Sequence, residues 1–169
     1  MEYEIPKDVS VEAAVGTLKV TAGGNVTQIR FNYRMMKVEA KDGRLEITAV
    51  GSDNRTKRAA MISLTKHVDN VAEGMAKPFE KKLQVVYAHF PVSIEVKGKE
   101  VHVKNFLGEK VPRRAKIAGN AEVKASGQEI TVTGRNKDEV GQTAANLVSA
   151  TRITNKDRRV FQDGIYYSE

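Results

Sequence analysis

The sequence of 169 residues contains no cysteine and no tryptophan, and aromatic residues make up only 6% of it. Without cysteine there can be no disulfide, thiolate zinc site or cysteine nucleophile. The three histidines, His67, His89 and His102, are too scattered for a metal site, so we expect surface or sheet-face residues and neither metal nor cofactor. The shortage of aromatics predicts a core of aliphatic side chains and methionine, which favours thin layers over a deep ligand pocket.

Long hydrophobic runs are also missing. The longest apolar run, residues 85–92, is broken by His89 and Pro91, and residues 1–10 lack a basic start followed by an apolar stretch. These features argue against a membrane span and against a secretory signal. We therefore expect a cytoplasmic protein with no membrane partner.

Motifs for catalysis are lacking as well. The glycines at 23–24 and the segment 108–110 match neither a P-loop nor a dinucleotide fingerprint, so turns are the better interpretation. No serine stands in a nucleophile elbow, and many carboxylates alternate with apolar residues as solvent-facing strand positions do. The sequence therefore predicts no enzyme and no small-molecule substrate.

What the sequence does contain is an internal repeat with a period of 83 to 85 residues. Residues 11–20 align with 94–103, and the alternating segments 38–48 align with 123–133. In both copies the second segment alternates apolar and polar residues across a short turn, which is typical of a β-hairpin. Duplication of one strand-rich unit explains this agreement better than chance resemblance between two β-rich halves.

Each half ends in a helical pattern. In the first half, apolar residues recur at helical spacing after Ser52 and Asp53, with Gly74 and Pro78 as expected stop signals; they are Met61, Leu64, Val68, Val71 and Met75. In the second half, Val140, Ala144, Leu147 and Thr151 share a face, and Asn136 followed by Glu139 predicts an N-cap. The predicted fold is α+β, with two tandem duplicated domains at residues 1–80 and 81–169. Each domain is an antiparallel-rich β-sheet packed against one α-helix.

Positive charge is concentrated in the second half. Up to Lys81 there are 13 Lys and Arg against 11 Asp and Glu, and beyond it 15 against 10, so the net charges are +2 and +5. The basic residues gather in the loop 104–114 and in the tail 152–167, where aromatics and amides accompany them. Cations for phosphates beside rings and amides for bases and riboses favour RNA as the partner. A membrane surface is less suited, because the cations lie in turns and not along one face of an amphipathic helix.

Both basic segments also have an ordinary structural interpretation. The tail could return as a strand through Phe161, Ile165 and Tyr166 to cover the sheet, and the loop could simply precede a strand. The two interpretations of the tail overlap, since the strand could be structural and its turn functional.

The residues quoted so far, and three stretches above all, resemble the universal large-subunit ribosomal protein L6 family in its archaeal and eukaryotic branch. The stretches are residues 105–113, 141–147 and 156–167, and the resemblance covers essentially the whole chain. It implies a structural role in the large ribosomal subunit and binding of its rRNA near the base of the stalk and the sarcin–ricin region, where translational GTPases dock. It also implies that the second domain makes the principal RNA contact and that neighbouring ribosomal proteins near the stalk base are partners.

The resemblance assigns RNA-contact candidates by position. In the tail they are Lys156, Arg158, Arg159 and Gln162, with Gly164 permitting close approach of the backbone; Lys104, Lys110, Arg113 and Arg114 in the loop rank second. The turn at 21–24 departs from the Gly-Pro-Lys-Gly type common in the family, and the missing lysine puts RNA contact by this turn in doubt.

Two other classes of function compete with this prediction. A basic β-rich adaptor would bind an acidic protein through the second half without RNA. An enzyme acting on a phosphorylated substrate would need an ordered acid and base, which the sequence does not reveal.

Overall fold

The computed structural model describes residues 2–5, 9–22, 25–41, 43–157 and 159–168. The chain divides into two units, Met1–Lys77 and Pro78–Glu169. The described part of the chain contains no helix that is both long enough and apolar enough to cross a membrane.

In its described residues the first unit has six strands followed by one helix. Strands β2, β3 and β4 form one antiparallel sheet in that order, and β1, β6 and β5 form another. The elements are β1 (Glu2–Glu4), β2 (Val9–Ala14), β3 (Thr17–Ala22), β4 (Asn25–Arg30), β5 (Met36–Lys41), β6 (Arg44–Ala49) and α1 (Arg55–Ala76).

The second unit repeats this order and adds one strand. Its sheets run in the orders β10-β9-β8 and β11-β12-β7-β13, again with antiparallel neighbours. The elements are β7 (Phe79–Val86), β8 (Ser93–Lys97), β9 (Glu100–Lys104), a 3-10 turn (Phe106–Gly108), β10 (Arg113–Lys116), β11 (Glu122–Ser126), β12 (Glu129–Gly134), α2 (Lys137–Ala150) and β13 (Gly164–Tyr167).

The strand registers confirm the predicted duplication. In the β2–β3 hairpin Val11 lies opposite Val20, and in the β8–β9 hairpin Ile94 lies opposite Val103, so the register recurs 83 residues later. The β5–β6 pairing of Val38 with Ile47 recurs in β11–β12 as Val123 with Val132, 85 residues later. The α+β fold of two repeated sheet-and-helix units was therefore predicted correctly.

Each unit builds its own aliphatic core. On β3 and β9 every second side chain points inward, and Leu18, Val20, Val101 and Val103 are fully buried. The helices contribute buried residues at the predicted spacing, namely Met61, Leu64 and Val68 from α1 and Val140, Ala144 and Leu147 from α2. The inward-facing strand residues and the apolar face of the helix therefore pack into one core in each unit.

Helix α1 begins after Ser52 and Asp53 and ends just before Pro78, as predicted. Asn54 is the N-cap, because its side chain accepts a hydrogen bond from the backbone N–H of Lys57 at 2.9 Å. Gly74 does not end the helix; it is buried inside the last turns, and the helix stops at Ala76. The restriction that Pro78 places on the preceding residue accounts for the end, since Lys77 is extended.

The cap of α2 was predicted correctly. The side chain of Asn136 accepts from the N–H of Asp138 at 3.0 Å. The carboxylate of Glu139 accepts from the Asn136 side chain at 3.3 Å and from the N–H of Asn120 at 2.8 Å. Glu139 therefore also fastens the turn before β11 to the start of the helix.

The second unit exceeds the first in two places. Two residues, 23 and 24, separate β3 from β4, whereas the eight residues 105–112 separate β9 from β10. After α2 the chain continues through residues 151–163 into β13, which has no counterpart in the described part of the first unit. The two additions to the repeated frame coincide with the two basic segments of the sequence.

Candidate nucleic-acid interface

The loop 105–112 has a defined conformation. Phe106 is buried in the core, while Asn105 and Leu107 on either side adopt left-handed backbone conformations at φ 56° and 50°. A left-handed leucine is strained, and such strain persists only where surrounding contacts enforce it. The contacts here are a hydrogen bond from the Asn105 side chain to the carbonyl of Pro91 at 3.0 Å and the close approach of the Phe90 ring to Gly108.

Arg113 fastens this loop to the beginning of the tail. Its guanidinium donates two hydrogen bonds to the carboxylate of Glu109, at 2.6 and 2.8 Å, and two more to the carbonyls of Ala150 and Arg152, at 3.1 and 3.0 Å. It also lies over the ring of Phe106 at 4.4 Å. Arg113 is half-buried, and its donors are directed at protein acceptors, so it has a structural role in this unit. Its RNA contact stays a prediction.

The pairing with Arg113 also fixes the charge of Glu109. The hydrogen bond from the guanidinium lowers the pKa of this carboxyl below its ordinary value, and burial opposes that effect only in part. Glu109 is therefore ionised at neutral pH and neutralises Arg113, which leaves Lys110 as the exposed cation of the loop.

The tail 152–163 folds into a turn before it becomes strand β13. The carbonyl of Asp157 accepts from the N–H groups of Val160 and Phe161, and its carboxylate accepts from the N–H of Arg159 at 2.9 Å. The ammonium of Lys156 lies over the ring of Phe161 at 4.7 Å. Lys156 and Arg159 are thus presented at the surface by an ordered turn. Another predicted RNA contact in the tail, Arg158, lies outside the described residues.

A buried carboxylate anchors this turn. Asp163 is 2% exposed and accepts hydrogen bonds from the N–H groups of Ala88 and His89 and from the His89 imidazole Nδ1, the last at 2.6 Å. Burial alone would raise the pKa of Asp163, but these hydrogen bonds lower it below the ordinary value. The ring of His89 also stacks on Phe161, with centroids 4.9 Å apart. The pairing of His89 with Asp163 was not predicted from the sequence, because 74 positions separate the two residues and no local period signals their contact.

The connection between β7 and β8, residues 87–92, joins the loop to the tail. His89 contacts the tail through Asp163 and Phe161, whereas Phe90 and Pro91 contact the loop at Gly108 and Asn105. Together with the Arg113 bridge, these contacts make one surface of the loop 105–112, the connection 87–92 and the tail 152–163. We call it the three-segment surface.

The predicted cations are divided between this surface and a neighbouring sheet face. Lys110, Lys156 and Arg159 are exposed on the three-segment surface. Lys104 and Arg114 are strand residues in the β10-β9-β8 sheet; both are exposed, and Arg114 lies opposite His102. The ammonium of Lys104 is paired with Glu95 at 2.7 Å, which reduces the charge that it offers.

The last two tail candidates, Gln162 and Gly164, contact the protein itself. The Gln162 side chain is exposed and donates to the carbonyl of Arg159 at 3.4 Å. The main-chain carbonyl of Gln162 accepts a hydrogen bond from the Tyr166 hydroxyl at 3.0 Å. Gly164 is buried, and a Cβ at this position would lie 3.2 Å from the Tyr166 ring. The absence of a side chain at Gly164 therefore allows the Tyr166 ring to pack closely against the backbone.

Proteins similar to this chain are ribosomal proteins. The family model of ribosomal protein L6 matches residues 90–164. The chain is 43% identical over 164 residues to large ribosomal subunit protein uL6 of Methanosarcina mazei, covering 96% of this chain and 92% of that protein. It is 44% identical over 168 residues to uL6 of Archaeoglobus fulgidus (96% and 85% covered) and 39% identical over 171 residues to uL6 of Natronomonas pharaonis (99% and 94%).

This chain belongs to the ribosomal protein L6 family.

Membership in the L6 family confirms the resemblance read from the sequence. It also confirms the prediction that the chain is a ribosomal protein and not an enzyme. The segment that the L6 family model matches begins at Phe90 and ends at Gly164, so it takes in the loop 105–112 and the tail up to β13. The turn at 23–24, where the sequence departs from the pattern common in the L6 family, lies outside the described residues.

Proposed function

We propose that this chain is a structural constituent of the large ribosomal subunit and that it binds large-subunit rRNA through the three-segment surface. The site on the rRNA is the region near the stalk base and the sarcin–ricin loop, where translational GTPases bind. The observation that carries the proposal is the joining of the loop, the connection and the tail into one ordered surface with exposed cations, in a member of the L6 family.

Neutralisation of phosphates provides the affinity in this proposal. Lys110, Lys156 and Arg159 are exposed at the surface. Roughly four to six phosphate contacts, Arg158 among them, would release enough counterions for affinity to fall steeply with salt. Because hydrogen bonds already fix the backbone of both basic segments, little conformational entropy remains to be lost on binding.

Shape and exposed nucleotides provide the specificity. A-form RNA conceals most base edges, so a protein surface recognises the path of the phosphates and any unstacked base or ribose. The exposed amide of Gln162 and the rings of Phe90 and Tyr166 are available for such contacts. The rRNA is accordingly recognised as a three-dimensional surface and not as a short linear motif.

The first unit supplies a second attachment in this proposal. Its charge is nearly balanced, so it suits neighbouring ribosomal proteins near the stalk base, or a second rRNA patch, better than a large phosphate surface. Linking two weak contacts in one chain raises their effective concentration and retains the protein where one contact would not.

The test is hydroxyl-radical footprinting of large-subunit rRNA with the full chain and a double variant, Lys156→Glu with Arg159→Glu. We expect protection near the sarcin–ricin region with the natural chain and its loss with the variant at the same protein concentration. The control, Lys124→Glu with Arg135→Glu, makes the same change in charge at two exposed positions of the second unit outside the three-segment surface. It should retain most of the protection.

Substitution is preferable to truncation here. Removing residues 152–169 would also remove β13, whose Ile165 is buried, and would therefore unfold part of the core. Thermal melting of both double variants should match that of the natural chain. Absence of any protection by the natural chain would reject the proposal and favour an adaptor for an acidic protein.

A further inference from the structure

A cavity of about 560 Å³ lies between the C-terminal end of α2 and the strand β13. Its lining combines apolar, aromatic and cationic side chains; it includes Val148, Ser149, Arg152, Ile153, Phe161 and Tyr166. Cavities of several hundred Å³ lined in this way are typical of sites for small organic groups. Of the residues that line the cavity, only Gly164 is among the RNA-contact candidates named from the sequence.

Hydrogen bonds on both sides hold the cavity in shape. On the helix side, the hydroxyl of Thr151 accepts from the N–H of Ile165 at 3.0 Å and so ties the end of α2 to β13. On the tail side, Asp163 also lines the cavity, but its carboxylate is engaged by Ala88 and His89. The site is therefore preorganised, and its one carboxylate is directed at protein donors.

The rings differ in what they offer to a ligand. Phe161 already contacts the His89 ring and the Lys156 ammonium, so it contributes a fixed wall. The ring of Tyr166 packs against Gly164, and its hydroxyl donates to the main-chain carbonyl of Gln162. Tyr166 remains 47% exposed, so part of its ring surface is open for stacking. Tyr166 and Val148 both line the cavity, so an aromatic ring and an aliphatic side chain are available to a flat ligand.

The charge around the cavity identifies the class of ligand. The main chain of Arg152 is bound on both sides, to Ser149 and to Arg113, while its side chain is exposed at the cavity. Lys156 and Arg159 are exposed on the adjoining turn. A ligand with a flat ring and a phosphate complements this arrangement, whereas an apolar peptide side chain would leave the cations unused.

We propose that this cavity receives a single unpaired nucleotide of the bound rRNA, with its base on Tyr166 and its phosphate on Arg152. The inference rests on the proposed rRNA binding and deepens it, because it names one extruded nucleotide as a determinant of specificity. A base within an A-form helix cannot enter a cavity, so the occupant is a loop or bulge nucleotide.

The test compares backbone and base protection on large-subunit rRNA with the full-length protein. Hydroxyl-radical cleavage reports the backbone footprint, and base-specific chemical probing reports whether an unpaired base inside that footprint is covered. With the natural chain we expect at least one such base to be protected. Ser149→Trp fills the cavity from an exposed helix position, and Arg152→Ala removes the phosphate contact. Each should reduce protection of that base by about tenfold while the backbone footprint stays.

The matched control is Gln142→Trp, which introduces the same side chain at an exposed position of α2 that does not line the cavity. It should leave both kinds of protection unchanged, and thermal melting should confirm that all three variants fold. A backbone footprint without any protected unpaired base, or base protection unaffected by both Ser149→Trp and Arg152→Ala, would overturn this inference and leave the proposed function standing. Absence of the backbone footprint with the natural chain would overturn both.

Discussion

Single polar and charged side chains of the second unit divide into those that hold the surface together and those that remain available to a partner. One group forms its hydrogen bonds with other parts of the protein; it consists of Asp163, His89 and Arg113. The other group is exposed to solvent and consists of Lys110, Lys156 and Arg159. The first group contains the more buried side chains, where an ionised partner strengthens each hydrogen bond. Residue type alone therefore does not tell an RNA contact from a structural residue.

Asp163→Ala should destabilise the second unit and make its stability less dependent on pH. The substitution leaves the N–H groups of Ala88 and His89 without their acceptor, at a cost of about 1–3 kcal/mol at pH 7. Because the pKa of Asp163 is lowered in the folded state, its contribution is full above the unfolded value of about 4 and is lost as pH falls through the folded value. Urea denaturation at pH 7 and at successively lower pH measures both effects.

The control for this prediction is Glu122→Ala, which removes an exposed carboxylate from strand β11. It should change the free energy of unfolding by less than about 0.5 kcal/mol at pH 7. A difference between Asp163→Ala and the natural chain that stays constant from pH 7 to pH 2 would contradict the role given to the Asp163 carboxylate.

The two helices show how local sequence defines an element. Helix α2 begins with a capping asparagine and has Asp138 and Glu139 in its first turn, where carboxylates stabilise the helix dipole. Helix α1 has the cap but no acid there, and Lys57 instead donates to the carbonyls of Val50 and Ser52. The end of α2 also forms one side of the proposed nucleotide cavity, so the stability of this element bears on the site.

Asn136→Ala should lower the stability of the second unit by about 1 kcal/mol, because the N–H of Asp138 loses its acceptor at the start of α2. Guanidinium denaturation monitored by circular dichroism measures the change. Ser149→Ala, at an exposed position near the other end of the same helix, serves as the control and should be close to neutral. Equal stability of Asn136→Ala and the natural chain would show that the cap contributes nothing to this helix.

At the scale of the whole molecule, the two units share the same order of strands and helix, and among the described residues the second unit has a longer loop and one more strand. The hairpins keep the same registers in both units, while the loop 105–112 and the segment leading to β13 enlarge only the second. The net charge follows the same division, at +2 before and +5 beyond Lys81. Independent folding of two domains, at residues 1–80 and 81–169, stays a prediction.

Affinity for rRNA should fall steeply with salt. With roughly four to six phosphate contacts, the logarithm of the binding constant should decrease by about 3–5 for each tenfold rise in monovalent salt. Lys156→Glu with Arg159→Glu should reduce that slope by at least about 1, because two phosphate contacts are lost. Filter binding or fluorescence anisotropy across a salt series measures the slope, and a slope unchanged by the double variant would remove these two cations from the interface.

The sequence by itself determined the repeat, the hairpins, the helices and the family. Alternation along a strand, helical spacing and capping residues act between near neighbours, so they can be read without the fold; the pairing of Val38 with Ile47 and the cap at Asn136 are examples. The basic composition of the loop and the tail was equally visible. Of the two stop signals predicted for α1, Pro78 was right and Gly74 was wrong, because burial among tertiary neighbours outweighs the weak helix preference of glycine.

Only the tertiary structure decided what each side chain of the surface does. The contact of His89 with Asp163 spans 74 positions, and Arg113 reaches carbonyls 37 and 39 positions away. Such contacts depend on how strands and helices pack, which no local pattern encodes. For the same reason the cavity at the end of α2 could not be foreseen, since its lining comes from a helix, a turn and a strand that meet only after the unit has folded.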